Sequence, residues 1–225
     1  MNTISVLLVE DHAIVRQGLR RLLKPEEDIN VVGEAETGRQ AVAMARKLNP
    51  EIVVMDIALP RLNGFEATRQ IHLTHPEIKI LILTAHDDDP YVQQMVQLRA
   101  SGFLLKQTDS GTLVTAIRSV HRGNTVVSPL LLKRMEQGYR ASIGRYVPRW
   151  GERNHPSSRE IEVLQLIAEG QPNKLIAAEL GVSIKTIDKQ RQSLMRKLNI
   201  HDVAGLTRYA VSHAVIESNV QLTIL

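Results

Sequence analysis

The 225-residue sequence contains no cysteine, which excludes disulfide bonds and any chemistry that needs a thiolate. A zinc ion could be held only by histidine or carboxylate ligands. No apolar run approaches the roughly 20 residues that a membrane-spanning helix needs, and no cationic start followed by a long apolar segment resembles a secretion signal. The sequence also lacks internal repeats and low-complexity tracts. These absences predict a cytoplasmic protein that does not enter a membrane.

Charge is distributed unevenly along the chain, although the net charge is only +4. Met1–His121 carries 13 basic and 15 acidic residues, whereas Arg122–Leu225 carries 15 basic and 9 acidic residues. A basic half can displace counterions from nucleic-acid phosphates, and an acidic half would be repelled by them. The simpler alternative is that surface charge merely drifts along the chain. Together with the length, the asymmetry predicts two domains with different roles.

Short apolar runs alternate with amphipathic stretches of helical length through the first half of the chain. The predicted strands are Ser5–Val9, Asn30–Ala35, Ile52–Met55, Lys79–Thr84 and Gly102–Leu105; the predicted helices are Ala13–Leu23, Gly38–Leu48, Gly64–Thr74, Tyr91–Leu98 and Ser110–Arg122. The first helix should turn Ile14, Val15, Gly18, Leu19, Leu22 and Leu23 toward the core. This alternation predicts a doubly wound α/β domain of (βα)₅ type over residues 1–122.

The pattern changes after Arg122. Residues 123–156 are rich in Gly, Pro, Ser and Arg and are predicted to form a linker with a short helix. Residues 157–225 show helical periodicity almost throughout, which predicts an all-α four-helix domain. Within that domain, Gly181 supplies a tight turn and Ser183 caps the following helix, so Pro172 to Arg191 is a helix-turn-helix candidate.

Polar side chains follow four of the predicted strands where each strand ends: Glu10, Asp11, Asp56, Thr84 and Lys106. The carboxyl ends of parallel strands meet at one edge of a sheet, so these groups should form one crevice. Carboxylates so close together repel unless a cation neutralises them, which predicts a divalent metal. Asp56 would be a nucleophile toward a phosphoryl group, with the other two acids as Mg²⁺ ligands and the lysine and hydroxyl on phosphate oxygens. Taken alone, an acid at a strand end is more often a cap or a loop residue, and a lone threonine there means little; the joint arrangement is what favours a site.

The segments VLLVEDHAIVRQGLRRLL, VVMDIALPRLNGFEATRQI, ILILTA and ASGFLLK resemble the receiver domain of bacterial two-component response regulators, and the resemblance covers Ile4–Arg122. It implies that Asp56 accepts phosphate from a sensor histidine kinase. It also implies that Glu10 and Asp11 bind Mg²⁺ and that the backbone carbonyl of Ala58 completes the metal site.

The same resemblance implies a conformational switch. Thr84 and Lys106 match the switch hydroxyl and the phosphate-binding lysine of receivers, and Phe103 stands where a switch aromatic is found. Phe103 lacks the hydroxyl of the tyrosine that is frequent there, so a core role is an equally good interpretation. Gln107 replaces the proline that commonly follows the lysine in other receivers, which leaves the peptide geometry there open.

The segment SSREIEVLQLIAEGQPNKLIAAELGVSIKTIDKQRQSLMRKLNIHDVAGLTRYAV resembles the LuxR-type helix-turn-helix domain over Ser157–Val211. Combined with a receiver, it resembles the NarL/FixJ family and implies binding to double-stranded DNA. We expect Lys185, Thr186, Lys189 and Arg191 to make the contacts, because Arg and Lys reach guanine edges or phosphates in the major groove.

Asp188 departs from the basic pattern, because many relatives carry lysine at this position. It either accepts a hydrogen bond from a cytosine amino group or turns aside to pair with Lys185 or Arg191. The sequence favours the pairing.

The fourth helix of the second domain carries an apolar set that is expected either to pair two DNA-bound subunits, as in relatives, or equally to be core. These residues are Val203, Leu206, Tyr209 and Ala210. The expected protein is a phosphorylation-controlled transcriptional regulator that forms a homodimer on phosphorylation. It is not an enzyme beyond its own phosphotransfer to Asp56 and slow autodephosphorylation. The rivals are a phosphatase or phosphotransferase sharing the crevice, and a module that binds DNA without phosphate control.

Overall fold

A computed structural model describes residues 3–98, 100–142 and 155–217 and divides the chain into two compact units, Met1–Val147 and Pro148–Leu225. No helix in the described ranges is long and apolar enough to cross a bilayer. Residues 143–154, in the second half of the predicted linker, lie outside the described residues. The exact limits of the linker therefore stay a prediction.

The first unit is a six-stranded, fully parallel sheet in the order β2-β1-β3-β4-β5-β6, flanked by helices. Its elements are β1 (Ile4–Val9), α1 (Ala13–Leu23), β2 (Ile29–Ala35), α2 (Gly38–Leu48), β3 (Ile52–Met55), α3 (Gly64–Thr74), β4 (Lys79–Thr84), α4 (Asp89–Gln97), β5 (Gly102–Leu105), α5 (Ser110–His121), β6 (Val126–Val127) and α6 (Pro129–Ser142). All four residues of β3 are buried, as expected for a strand covered on both faces. The predicted α/β fold is confirmed.

Two elements extend the first unit beyond the predicted (βα)₅ core. The two residues of β6 pair in parallel with Gly102 and Phe103 of β5, where the sequence predicted a loop. The following helix α6 packs against α4, so the short helix assigned to the linker belongs to the first unit. An edge strand of two residues carries no periodicity from which it could be predicted.

The predicted inward stripe of α1 is correct only in its second half. Ile14 is 87% exposed and Val15 is 37% exposed, and Gly18 is exposed as well. Leu23 is fully buried, while Leu19 and Leu22 pack against the sheet core as partly buried residues. The helix is amphipathic along its whole length, but only its C-terminal part lies over β1 and β2. Periodicity identifies a helix face without showing how much of it is covered.

The second unit is a four-helix domain in the described residues, as predicted. Its helices are α7 (Ser158–Ala168), α8 (Asn173–Glu179), α9 (Ile184–Leu198) and α10 (Val203–Ser212). Ser157 and Glu160 form a capping box at the start of α7, and the Ser183 hydroxyl accepts a hydrogen bond from Thr186 N at the start of α9. The turn between α8 and α9 contains Gly181 at φ +64°, a left-handed conformation that favours glycine. Helix α9 thus begins after a tight, capped turn.

Candidate functional site

Three predicted polar residues lie together in the interior at the carboxyl edge of the sheet. Glu10 after β1, Asp56 after β3 and Thr84 at the end of β4 are each 2% exposed or less. Burying charged and hydroxyl groups is costly unless other groups compensate for the lost hydration. The crevice must therefore supply that compensation from its own side chains or from a ligand.

Lys106, which follows β5, supplies the compensating charge. Its Nζ lies 2.8 Å from Glu10 Oε2 and 2.9 Å from Asp56 Oδ2, so one ammonium group bridges two buried carboxylates. Burial alone would lower the pKa of Lys106, but the two carboxylates outweigh it and raise that pKa. Burial raises the pKa of Asp56, with the nearby Glu10 charge acting in the same direction and Lys106 opposing both. The site is a compact, strongly coupled charge cluster.

Asp56 is held by the backbone around it. Its Oδ1 accepts a hydrogen bond from Ile57 N at 2.8 Å, and Gly64 N donates to Ile57 O at 2.8 Å. A Cβ on Gly64 would lie 2.0 Å from the Asp56 carbonyl oxygen, so only glycine fits where α3 begins. Asn63 caps α3 by accepting from Glu66 N. The loop after Asp56 and the start of α3 thus form one tightly packed segment.

The residues present fit a divalent cation. The ligand atoms of Glu10, Asp11 and His12 lie within 4.8 Å of one another. Glu10 Oε2 and Asp11 Oδ1 are buried carboxylate oxygens that receive no well-oriented hydrogen bond from any described residue. Lys106 Nζ lies 2.8 Å from the first oxygen, and His12 Nδ1 lies 2.9 Å from the second. Such oxygens are the ligands that Mg²⁺ prefers. The acidic cluster at this edge of the sheet therefore suits Mg²⁺.

His12 was not singled out from the sequence. Its Nδ1 lies 2.9 Å from Asp11 Oδ1 and 3.1 Å from Glu10 Oε1. The Asp11 carboxylate is the main cause of a raised His12 pKa. The only sign of this role in the sequence is that His12 follows two acidic residues. Sequence position alone does not show whether the imidazole ring turns toward their carboxylates.

Thr84 and Phe103 lie on neighbouring strands beside the crevice. The Thr84 hydroxyl accepts a hydrogen bond from His86 N at 2.9 Å, and the Thr84 carbonyl accepts from Lys106 N at 2.7 Å. Phe103 is 3% exposed and pairs with Ile82 in the sheet, a position that suits a core residue as well as a switch.

The loop between β4 and α4 contacts α6, which the sequence did not predict. Arg134 Nε lies 3.2 Å from Asp87 Oδ2, and its Nη1 lies 3.6 Å from Asp89 Oδ1. The His86 ring stacks on Tyr91 with centroids 4.2 Å apart. No sign in the sequence pointed to a pairing of Arg134 with this loop, because its helix was assigned to the linker.

Helix α9 presents a polar face to solvent. Ile187 and Leu194 are buried, while Lys185 and Lys189 are exposed, as the periodicity predicted. Thr186 is only partly exposed, with its hydroxyl 2.8 Å from that of Ser183, and Arg191 is also partly buried. The exposed stripe also includes residues outside the set of expected DNA contacts: Asp188, Gln192, Ser193 and Arg196.

Asp188 has a different partner from the predicted one. Its Oδ1 accepts a hydrogen bond from Asn173 Nδ2 at 2.5 Å, at the start of α8. The expected pairing with Lys185 or Arg191 is absent among the described residues. Asn173 lies in another helix, so the i, i+3 spacing within α9 could not reveal it.

The four apolar candidates on α10 divide into two groups. Leu206 and Ala210 have no exposed surface and belong to the core of the second unit, so the core interpretation applies to them. Val203 is 41% exposed and Tyr209 is partly exposed. Only the latter two remain candidates for contacts between subunits.

The chain matches two protein families: the response regulator receiver domain over residues 6–118, and the bacterial regulatory proteins of the luxR family over residues 157–210. It is 34% identical over 212 residues to the transcriptional regulatory protein DegU of Brevibacillus brevis, covering 89% of this chain and 90% of DegU. It is 35% identical over 214 residues to the response regulator UvrY of Escherichia coli K12, covering 94% and 95%.

A solved structure of RcsB from Salmonella enterica serovar Typhimurium, bound to a promoter in the presence of phosphomimetic BeF₃⁻, is similar with a TM-score of 0.60. The identity is 29%, and the match covers 94% of this chain and 99% of RcsB. Fold and site together define a response regulator with a receiver and a luxR-type DNA-binding domain. The chain belongs to the NarL/FixJ family of response regulators, a family of transcriptional regulators rather than of metabolic enzymes.

Proposed function

We propose that this response regulator accepts a phosphoryl group on Asp56 from a sensor histidine kinase and, once phosphorylated, binds double-stranded DNA as a homodimer. The observation that carries the proposal is the position of Lys106 Nζ, within 2.9 Å of both Glu10 and Asp56 in a buried crevice. Phosphoryl transfer depends chiefly on positioning and neutralised charge, and this arrangement offers both.

In the transfer step, a carboxylate oxygen of Asp56 attacks the phosphorus of a phosphohistidine. The new O–P bond forms as the N–P bond breaks, and the electron pair leaves with the imidazole nitrogen, which takes a proton from solvent. Lys106 Nζ, which already lies beside Asp56, then forms hydrogen bonds and an ion pair with the new phosphoryl oxygens. When bound, Mg²⁺ would neutralise the same oxygens, held by Glu10, Asp11, Asp56 and the carbonyl of Ala58.

Thr84 would carry the signal out of the crevice. A hydroxyl that turns to donate to a phosphoryl oxygen moves away from His86 N, to which it is bonded at 2.9 Å. His86 leads directly into the loop that Arg134 of α6 contacts through Asp87. Phosphorylation would thus shift the loop and the helix that precedes the DNA-binding unit. Phe103 would follow Thr84 into any space that it leaves.

The exposed face of α9 supports major-groove binding by the second unit. Lys185 and Lys189 lie on that face, and Thr186 and Arg191 lie at its border. A single domain of this size contacts few phosphates, so pairing of two subunits should matter for affinity. The similarity to RcsB, which was solved bound to a promoter in the presence of a phosphomimetic, supports DNA binding by the phosphorylated form here.

A gel-shift comparison tests the proposal. Full-length wild type and Asp56→Ala are titrated at fixed salt onto DNA from upstream of the gene, with Mg²⁺ and with or without acetyl phosphate. Glu77→Ala, which removes an exposed carboxylate just before β4, at the opposite end of that strand from Thr84, is the matched control. We expect the phosphodonor to tighten binding by wild type and the control but not by Asp56→Ala.

Each other outcome rejects part of the proposal. Equal binding by all three proteins with and without donor would mean that DNA binding is not controlled by phosphate. Phosphate turnover without any change in DNA binding would favour the enzyme alternative. Covalent labelling is followed in parallel on phosphate-affinity gels.

A further inference from the structure

The solvent-exposed face of α9 has one acidic residue near its centre. Asp188 is exposed and is flanked by the exposed Lys185 and Lys189, with Gln192 one turn further along. A helix that approaches DNA through phosphate attraction alone gains nothing from an acid there, because the carboxylate repels the backbone. Its position therefore calls for a contact other than phosphate.

The second unit holds this carboxylate in place without neutralising it. Asn173 Nδ2, at the start of α8, donates to Asp188 Oδ1 at 2.5 Å. An amide is neutral, so the charge of Asp188 remains on the exposed face. Within residues 155–217 no second hydrogen bond or ion pair to Asp188 is present, which leaves Oδ2 available as an acceptor.

The chemistry of the major groove restricts what such an oxygen can bind. A carboxylate only accepts hydrogen bonds, and the base pairs offer only two donors there, cytosine N4 and adenine N6. The adenine N6 donor lies between two acceptors, its own N7 and O4 of the paired thymine, and both repel a carboxylate. The cytosine N4 donor has an acceptor on one side only, O6 of the paired guanine, because the cytosine edge itself presents none. Guanine and thymine present only acceptors or a methyl group at their own major-groove edges.

We propose that Asp188, held by Asn173, is a specificity-determining residue that selects a cytosine in each half-site, while the lysines on the same face provide affinity. The inference rests on the proposed placement of α9 in the major groove. It assigns one base to one side chain, which the family match alone does not do.

Selection from a pool of randomised duplexes tests this assignment. The full-length chain is used with Mg²⁺ and acetyl phosphate as wild type, Asp188→Ala and Asp188→Asn. Wild type should enrich a motif with one cytosine that the alanine variant no longer requires. The asparagine variant should exchange that cytosine for adenine, because an amide pairs with adenine N6 and N7.

Binding to single duplexes then measures the effect. Changing the selected cytosine to thymine should weaken wild-type binding roughly tenfold and leave Asp188→Ala nearly unaffected. The salt dependence should be unchanged in the variant, since no phosphate contact is lost. Glu77→Ala, which changes an exposed residue of the first unit, should select the wild-type motif, and Asn173→Ala should reduce the cytosine preference without removing it.

Two results would overturn the assignment. One is that Asp188→Ala enriches the wild-type motif and only binds every duplex more tightly, which would make the carboxylate a source of repulsion alone. The other is that wild type enriches no cytosine. Failure of the phosphorylation proposal looks different, because donor dependence would then vanish in wild type while the cytosine preference persisted.

Discussion

The two units of this response regulator keep their functional side chains in opposite environments. In the first unit, Glu10 and Asp56 are almost fully buried and depend on Lys106 for compensation. In the second, Lys185 and Lys189 point into solvent from a helix whose other face is core. Chemistry on a phosphoryl group needs a desolvated, preorganised site, whereas attraction to DNA needs charge at the surface.

This difference predicts how each unit responds to substitution. A change in the buried crevice should alter charge balance, chemistry and stability together, because the groups are coupled. A change on the exposed face of α9 should alter DNA binding with little effect on folding. The following substitutions test the contrast, in order of decreasing expected effect.

Lys106→Met should have the largest effect. It removes the charge that bridges Glu10 and Asp56, and it should slow labelling by acetyl phosphate on the order of 10²-fold through lost electrostatic stabilisation. The same change should tighten Mg²⁺ binding, because a competing cation is gone. Stopped-flow labelling and a metal titration measure the two effects. Weaker metal binding in the variant would show that Lys106 organises the ligands rather than competing with the ion.

Leu206→Ala should destabilise the second unit by about 2–5 kcal/mol, since it leaves a cavity in the core. Val203→Ala on the same helix is the matched control and should change stability by less than about 0.5 kcal/mol. Urea unfolding followed by hydrogen exchange of the α7–α10 amides separates this unit from the sheet unit. Equal losses in the two variants would mean that α10 is not buried as described.

Val203 also allows a test of whether α10 pairs two subunits. Leu206 cannot serve for this test, because it is buried in the core of the second unit. If α10 pairs two subunits, Val203→Glu should weaken DNA binding while leaving the unit folded. Sedimentation of the phosphorylated protein with DNA would detect the loss of pairing. An unchanged complex would remove α10 from the interface.

Ser183→Ala should cost about 1 kcal/mol, because the hydroxyl that caps α9 at Thr186 N is lost. Ser193→Ala, in the exposed middle of α9, should be neutral or slightly stabilising, since alanine is the better helix former. Thermal unfolding of the second unit compares the pair. A larger cost for Ser193 would show that it has a contact that the described structure does not give it.

Acid should weaken the second unit slightly through Glu160. Burial raises the pKa of this carboxyl, but hydrogen bonds from Lys197 and from Ser157 N outweigh it and hold the pKa below its ordinary value of 4.5. The folded state therefore binds the proton less tightly than the unfolded state, and the contribution is present above pH 4.5 and lost as pH falls through the lowered pKa. Glu160→Gln should reduce the difference in unfolding free energy between pH 6 and pH 3 by less than ~1 kcal/mol. A variant with the full wild-type slope would contradict this account.

The apolar runs predicted the first five strands to within a residue. The rule that parallel strand ends meet at one edge also predicted that Glu10, Asp56 and Lys106 lie close together, and the structure places them in contact. Such local signals succeed because buried strands need continuous apolar residues. The pairing of Arg134 with Asp87 could not be predicted in this way, since it depends on where α6 packs. For the same reason the partner of Asp188 was predicted wrongly.

The exposed Ile14 on α1 shows that apolar periodicity can also predict burial where there is none. The spacing of apolar residues predicted a buried stripe, but the sheet covers only the second half of that helix. Sequence pattern reports which side chains can share a face. Whether another element covers the face is decided by tertiary packing.

The close approach of Gly64 to the backbone of Asp56 gives the crevice one stiff wall. Nothing larger than a hydrogen atom fits between Gly64 at the start of α3 and the backbone of Asp56, so the two segments cannot slide past each other there. On the β4–α4 side, the Thr84 hydroxyl accepts a hydrogen bond from His86 N, and Arg134 forms a partly exposed ion pair with Asp87. A force exerted at Asp56 should therefore displace the β4–α4 loop more than α3, because the contact at Gly64 leaves α3 no room to move. The rigid contact on one side of the crevice thus determines the direction in which a change at Asp56 is transmitted.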